Sequence, residues 1–194
     1  MEVRPGQGSW LEPGRESALV LAAQRGELPA YFELLRAYQQ PLWRVCLSVT
    51  RNADDAEQLL QETARRALRN LKQIPMAQPF FPWLVRLTRA LAVAQARRRA
   101  GEPAFLTSVK RPNGESWDAC AVGAYDMAFE QRVLFAFADL SVDEQLLLGL
   151  RLFERLPYGE IAATLELPLT ATMHRIAALR ERIEQAVLPP GKAA

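Results

Sequence analysis

Apolar residues recur at helical spacing through most of this chain, and no stretch of useful length alternates as a half-buried strand requires. Between residues 29 and 51, Phe32, Leu35, Leu42, Val45 and Val49 stand three, four or seven apart, which gathers them on one side of a helix. The pattern predicts an all-α fold. Proline and glycine set its punctuation. A first helix is expected over residues 16–25, stopped by Gly26. A second covers 29–51, and a third follows an N-cap at Asp54 and continues to about Leu71. Pro75, Pro79 and Pro82 then hold a loop. A fourth helix is expected from Pro82 or Trp83 to the basic run Arg97, Arg98, Arg99, with Trp83, Leu84, Leu87 and Leu91 on its core face.

Residues 101–123 break the pattern. They hold Gly101, Pro103, Pro112, Asn113, Gly114 and Gly123 with little apolar period, as a linker would. Helical spacing returns over 125–138. Ser141 and Glu144 form a Ser-x-x-Glu capping box ahead of Leu146, Leu147 and Leu148. Two short helices follow, 158–165 and 169–187, with a tight turn at 166–168. The expected organisation is a loose tail (1–14), a helical domain (15–100), a linker (101–123), a second helical domain (124–188) and a short tail (189–194). The two small domains would be joined flexibly, the second ending in a helix-turn-helix.

Several function classes drop out. The two cysteines, Cys46 and Cys120, cannot build a disulfide framework and suit a reducing compartment. With one histidine, His174, there is no spaced ligand set for zinc, and no metal is expected. No phosphate loop, Gly-rich dinucleotide turn or nucleophile elbow is present, so neither a cofactor nor an enzyme is expected. The start lacks a basic segment followed by an apolar run, and no apolar stretch reaches the roughly 20 residues of a membrane helix. A cytoplasmic protein without membrane insertion is expected. Charge is uneven: residues 29–100 carry 12 Lys+Arg against 5 Asp+Glu, a net of +7, so the whole-chain +2 leaves −5 elsewhere. A basic first half suits a polyanion, or simply a solvated helical face.

Two stretches together resemble the bacterial sigma factors of the small two-domain extracytoplasmic-function group. The first runs from Ala30-Tyr-Phe-Glu-Leu-Leu through Asp54-Asp-Ala-Glu-Gln-Leu-Leu-Gln-Glu-Thr63 to Pro82-Trp-Leu-Val-Arg-Leu-Thr-Arg89, and is similar to the family's second conserved region. The second runs from Leu140-Ser-Val-Asp-Glu-Gln145 through Leu156-Pro-Tyr-Gly-Glu-Ile-Ala162 to Leu179-Arg-Glu-Arg-Ile183, and is similar to the fourth. The resemblance implies a transcription initiation factor that binds core RNA polymerase and directs it to promoter DNA. It further implies an anti-sigma factor that holds the two domains together between uses.

The same resemblance implies the site residues. Asp55, Gln58, Gln61 and Glu62 on the third helix would meet the polymerase clamp. Met76, Phe80 and Phe81 in the loop would wall a base pulled from the stack, although the phenylalanines suit the core as well. Arg86, Arg89, Arg97, Arg98 and Arg99 would reach phosphates of the start-proximal element. Thr170, Thr172, Met173, His174 and Arg175, near the start of the last helix, would face the upstream element, with Arg180 and Arg182 nearer phosphates.

The chain also departs from the family pattern. Gln58 stands where an acid is usual, Ala90 and Ala94 where Asn and Asp are usual, Ala178 at a commonly basic position, and Glu166 where the turn usually has Gly. Thr170-Ala-Thr172 replaces a common Gly-Thr-Val. The last domain is also acidic: residues 137–187 hold five arginines against eight carboxylates, a net of −3. These departures keep a second reading open, a sigma-like interaction protein that binds an anti-sigma factor or polymerase without opening DNA. A regulator using only the helix-turn-helix is a third.

Overall fold

The computed structural model describes residues 11–74, 79–99, 137 and 140–187. Most of the expected tail, the linker 101–123, almost all of the helix expected at 125–138, Met76 and residues 189–194 lie outside them. Seven α-helices are described: α1 (Pro13–Gln24), α2 (Leu28–Thr50), α3 (Ala53–Asn70), α4 (Phe80–Arg99), α5 (Val142–Leu152), α6 (Tyr158–Leu165) and α7 (Leu169–Val187). A single 3-10 turn, Leu71–Gln73, follows α3. The described residues contain no strand.

Local chemistry sets the ends. Pro13 opens α1, so the expected loose tail gives way to helix earlier than residue 15. A proline costs little there, because a first-turn amide has no helical partner. Gly26 ends the segment at φ +97, a backbone that L side chains rarely adopt. The cap of α3 is Asn52 rather than Asp54: its side chain accepts from the amides of Asp54 at 2.9 Å and Asp55 at 3.1 Å. The two aspartates occupy the first turn instead, where the helix dipole favours them. The capping box of α5 forms as expected, with the Ser141 amide donating to Glu144 at 2.8 Å. Glu166 ends α6 in the left-handed region at φ 57.

α2 is the centre. Leu34, Tyr38, Leu42, Val45 and Cys46 are fully buried along it, between α1, α3 and α4. Each such leucine contributes about 2 kcal/mol relative to an exposed one. The Cys46 thiol, buried there, is pushed up to about 12 by desolvation and stays neutral. α2 runs through Pro41, which removes one amide donor from the helix interior.

The second half folds onto the first. α5 lies against α2, and α4 touches both α5 and α6. At the α2–α5 crossing Gly149 sits over Ser48; a Cβ there would stand 2.5 Å from its Oγ and 2.8 Å from its Cβ. Glycine is therefore required by the close approach. Arg44 of α2 forms a two-pronged ion pair with Glu154 just beyond α5, at 2.6 and 3.1 Å. Glu154 is 2% exposed, so this pair is nearly dry on the carboxylate side.

Candidate functional site

Three helices carry the residues singled out from the sequence, and each treats them differently. On α3, Ala56, Leu59, Thr63 and Ala67 turn inward at helical spacing. Gln58 and Gln61 are left exposed, with Asp55 and Glu62 half-buried beside them. The result is a polar face flanked by the partly exposed Leu60 and Leu68. Glu62 pairs with Arg66 at 2.9 Å and Arg65 at 3.2 Å. The hydrogen bond from Arg66 leads in holding its carboxyl below the ordinary range. Gln61 donates to Glu57 at 3.3 Å.

On α4 the aromatic residues turn inward. The helix begins at Phe80, two residues before the expected start, so Phe80 and Phe81 belong to its first turn rather than to a loop. They are 0% and 1% exposed and pack on Tyr38, with ring centroids 6.0 and 5.7 Å away. Neither can stack a base in this packing, which corrects that expectation. Trp83 is half-buried beside Phe80.

The α4 arginines split into two groups. Arg86 donates to the Thr164 carbonyl at 3.3 Å and pairs with Glu166 at 3.4 Å. Arg89 makes a two-pronged pair with Asp143, at 2.6 and 2.7 Å. Both partners belong to the second half of the chain. Arg97 and Arg98, at the end of the helix, are exposed. Ala90 is exposed as well, and Ala94 half-buried.

On α7, burial falls on Thr172, Ile176 and Leu179. The Thr172 hydroxyl donates to the Pro168 carbonyl at 3.2 Å, so this residue supports the helix and does not face a groove. Thr170, Met173, His174 and Arg175 are exposed together, with Leu169 beside them. Arg180 is exposed and pairs with Glu184 at 2.6 Å; Arg182 reaches Glu144 at 3.0 Å.

Asp143 joins two of these sets. The hydrogen bond from Arg89 leads in holding its carboxyl below the usual carboxylate range, and the charges of Arg89 and Arg175 act in the same direction. One carboxylate thus faces arginines of both α4 and α7. Sequence reasoning missed Asp143, Glu154, Arg44 and Gly149, because their partners lie in the other half of the chain.

The comparisons bear on all three helices. The family described as Sigma-70 region 2 matches residues 34–102. The RNA polymerase sigma-H factor of Pseudomonas aeruginosa is 26% identical over 183 residues, spanning 90% of this chain and 95% of that protein. The probable RNA polymerase sigma-C factor of Mycobacterium bovis is 27% identical over 169 residues, 86% of this chain and 88% of that one. The extracytoplasmic-function sigma-E factor of Haemophilus influenzae is 26% identical over 192 residues, 90% and 96% of the two chains.

Residues 34–102 thus carry a Sigma-70 region 2 match, and most of the chain is similar to sigma factors of the extracytoplasmic-function group. The fold agrees with that of two solved structures. One, RpoE from Bartonella quintana, was solved with the anti-sigma factor NepR and matches at a TM-score of 0.59, 20% identity, over 81% of this chain and 96% of that one. The other, CnrH, was solved with the cytosolic domain of CnrY and matches at 0.62, 19% identity, over 88% and 96%. Here the match to region 2 takes in α3 and α4 entirely and most of α2. The described residues include no helix long and apolar enough to cross a membrane.

Proposed function

We infer that this chain is a sigma factor, which initiates transcription by docking on core RNA polymerase through α3 and gripping promoter DNA through the ends of α4 and α7. The observation that carries the reading is the pairing of two open polar faces on one chain. Asp55, Gln58, Gln61 and Glu62 line an exposed-to-half-buried face of α3, and Thr170, His174 and Arg175 stand out from α7. A mixed acid and amide face suits a partly polar protein interface. An exposed helix start after a three-residue turn suits entry into a major groove, in the manner of a helix-turn-helix. Arg97, Arg98 and, beyond them, Arg180 would add phosphate contacts, giving affinity and salt dependence. Phe80, Phe81 and Thr172 act here as supports for these faces rather than as contacts. The place of action is the cytoplasm. An anti-sigma factor is a further partner, by analogy with the complex of RpoE with NepR.

The acidic last domain binds DNA weakly alone, and polymerase supplies the remainder by holding it near the promoter. Purified core polymerase, a genomic fragment library and the full chain test the reading. New transcripts sharing an upstream motif are expected. Absence of polymerase binding would overturn it.

A second reading has its own support. Arg86 and Arg89 are engaged by the second half of the chain, and Ala90 offers no hydrogen bond. Both favour a sigma-type regulator that binds polymerase or an anti-sigma factor without opening DNA. Tight polymerase binding with no transcript from any fragment would select it.

A further inference from the structure

α1 touches both ends of the segment between α3 and α4. Near its C-terminus the Gln24 side-chain amide donates to the Leu71 carbonyl and to the Ile74 carbonyl, each at 3.0 Å. A glutamine amide has two N–H groups, and these two bonds use both. Two turns earlier, Glu16 accepts from the backbone amide of Phe80, the first residue of α4. Its other carboxylate oxygen accepts from the Tyr38 hydroxyl at 2.5 Å.

The amide of Phe80 is one of the four that a helix start leaves without an internal partner. The residue before it is Pro79, whose side chain cannot cap. Glu16 therefore caps α4 from another helix, and its charge also suits the positive end of the α4 dipole. Tyr38 is held as a donor: burial leads in pushing its phenol well above the ordinary range, and Glu16 adds to the shift. Tyr38 in turn packs on Phe80 and Phe81. The chain thus leaves at Ile74 and re-enters helix at Phe80 between two fixed points on α1.

We propose that Glu16 and Gln24 are positioning residues for promoter opening: α1 fixes where the chain departs at Ile74 and returns at Phe80, and so sets the line along which α4 carries its exposed Arg97 and Arg98 to the DNA. This rests on the initiation function inferred above. Neither residue touches DNA in this scheme. Both act through backbone groups, so their loss leaves the polar face of α3 and the exposed start of α7 in place. The effect falls on the step that separates strands.

The test uses the full chain with core polymerase on the fragment giving the strongest transcript from the genomic library. That fragment is supplied as duplex and as a heteroduplex already mismatched near the start site. Glu16→Ala and Gln24→Ala are expected to bind polymerase and to transcribe the mismatched template as the unaltered protein does. On duplex, the rate of open-complex formation is expected to fall about five- to tenfold, the size that follows from losing a helix cap. Glu16→Gln should recover most of that loss, because its carbonyl still accepts from Phe80. Thermal unfolding identifies a variant that fails to fold; Tyr38→Phe, which removes only the hydroxyl bonded to Glu16, then carries the same duplex comparison. Equal loss on both templates, or no loss on either, would overturn the role of α1. If the unaltered protein yields no transcript at all, it is initiation itself that fails, and the proposal falls with it.

Discussion

α3 and α4 both pack on α2, and both carry charged residues at helical spacing, yet they present them differently. The polar residues of α3 pair within their own helix, as Glu62 does with Arg65 and Arg66, and the face stays open to a partner. The middle arginines of α4 pair with Glu166 and Asp143, far along the chain, where α5 and α6 pack beside α4. An arginine on an amphipathic helix is therefore not automatically an arginine offered to DNA. What decides is whether a carboxylate of the same chain reaches it first.

The largest test of this contrast is the buried pair that fastens the halves. Arg44→Ala would strand Glu154, which is 2% exposed, and should cost about 3 kcal/mol in urea denaturation. A cost below about 1 kcal/mol would mean that the halves part and water reaches the carboxylate. Next comes the crossing at Gly149. Gly149→Ala should cost about 1–3 kcal/mol, since Ser48 Cβ stands 2.8 Å from the new atom and must move with its backbone. Adding Ser48→Gly should return part of that loss, and a failure to do so would show that the close approach is not the cause.

A smaller effect is expected at Asp143. Asp143→Asn should release Arg89 and remove a nearby negative charge from Arg175, so that binding to duplex DNA tightens and its dependence on log salt steepens by about 0.9 per phosphate gained. An unchanged slope would mean that neither arginine reaches DNA. The pH dependence has a definite sign. The Asp143 carboxyl is held below its ordinary value, led by the Arg89 hydrogen bond. Its contribution to stability is therefore present above the unfolded value, near pH 4, and is lost as pH falls through the folded one. Acid titration of the Asn variant should show a shallower loss than the unaltered chain. The smallest effect concerns Glu166, at φ 57. Glu166→Gly should relieve about 1 kcal/mol of backbone cost and forgo an exposed pair with Arg86 worth less than that. A small rise in melting temperature is expected, and a fall would show that the pair outweighs the backbone.

Features decided by neighbouring residues were legible in the sequence. Ser141 and Glu144 announce the start of α5, and the breaks at Gly26 and residues 166–168 are set by local backbone chemistry. Residues 158–165 and 169–187 match α6 and α7 end for end. The cap at Asn52 is masked in the sequence by the acids after it, of which Asp54 suits a cap equally well. Phe80 and Phe81 were divided between loop and core, and Tyr38, more than forty residues earlier, is what takes them inward. Thr172 was readable in principle, since Ile176 and Leu179 share its spacing on the core face. The pairs of Arg86 and Arg89 were not, because nothing local to α4 points to Glu166 or Asp143.

Asp143 has a consequence for how a chain of this kind could change its targets. Its carboxylate faces Arg89 of α4 and feels the charge of Arg175 of α7. Under the function proposed above, a substitution there would alter both helices in one mutational step, so preference at one promoter element would not drift without disturbing the other. Retuning such a protein to a new set of promoters would then proceed more readily from the exposed tips, Thr170 and His174 on one side and Arg97 and Arg98 on the other, where a change would stay confined to a single proposed contact.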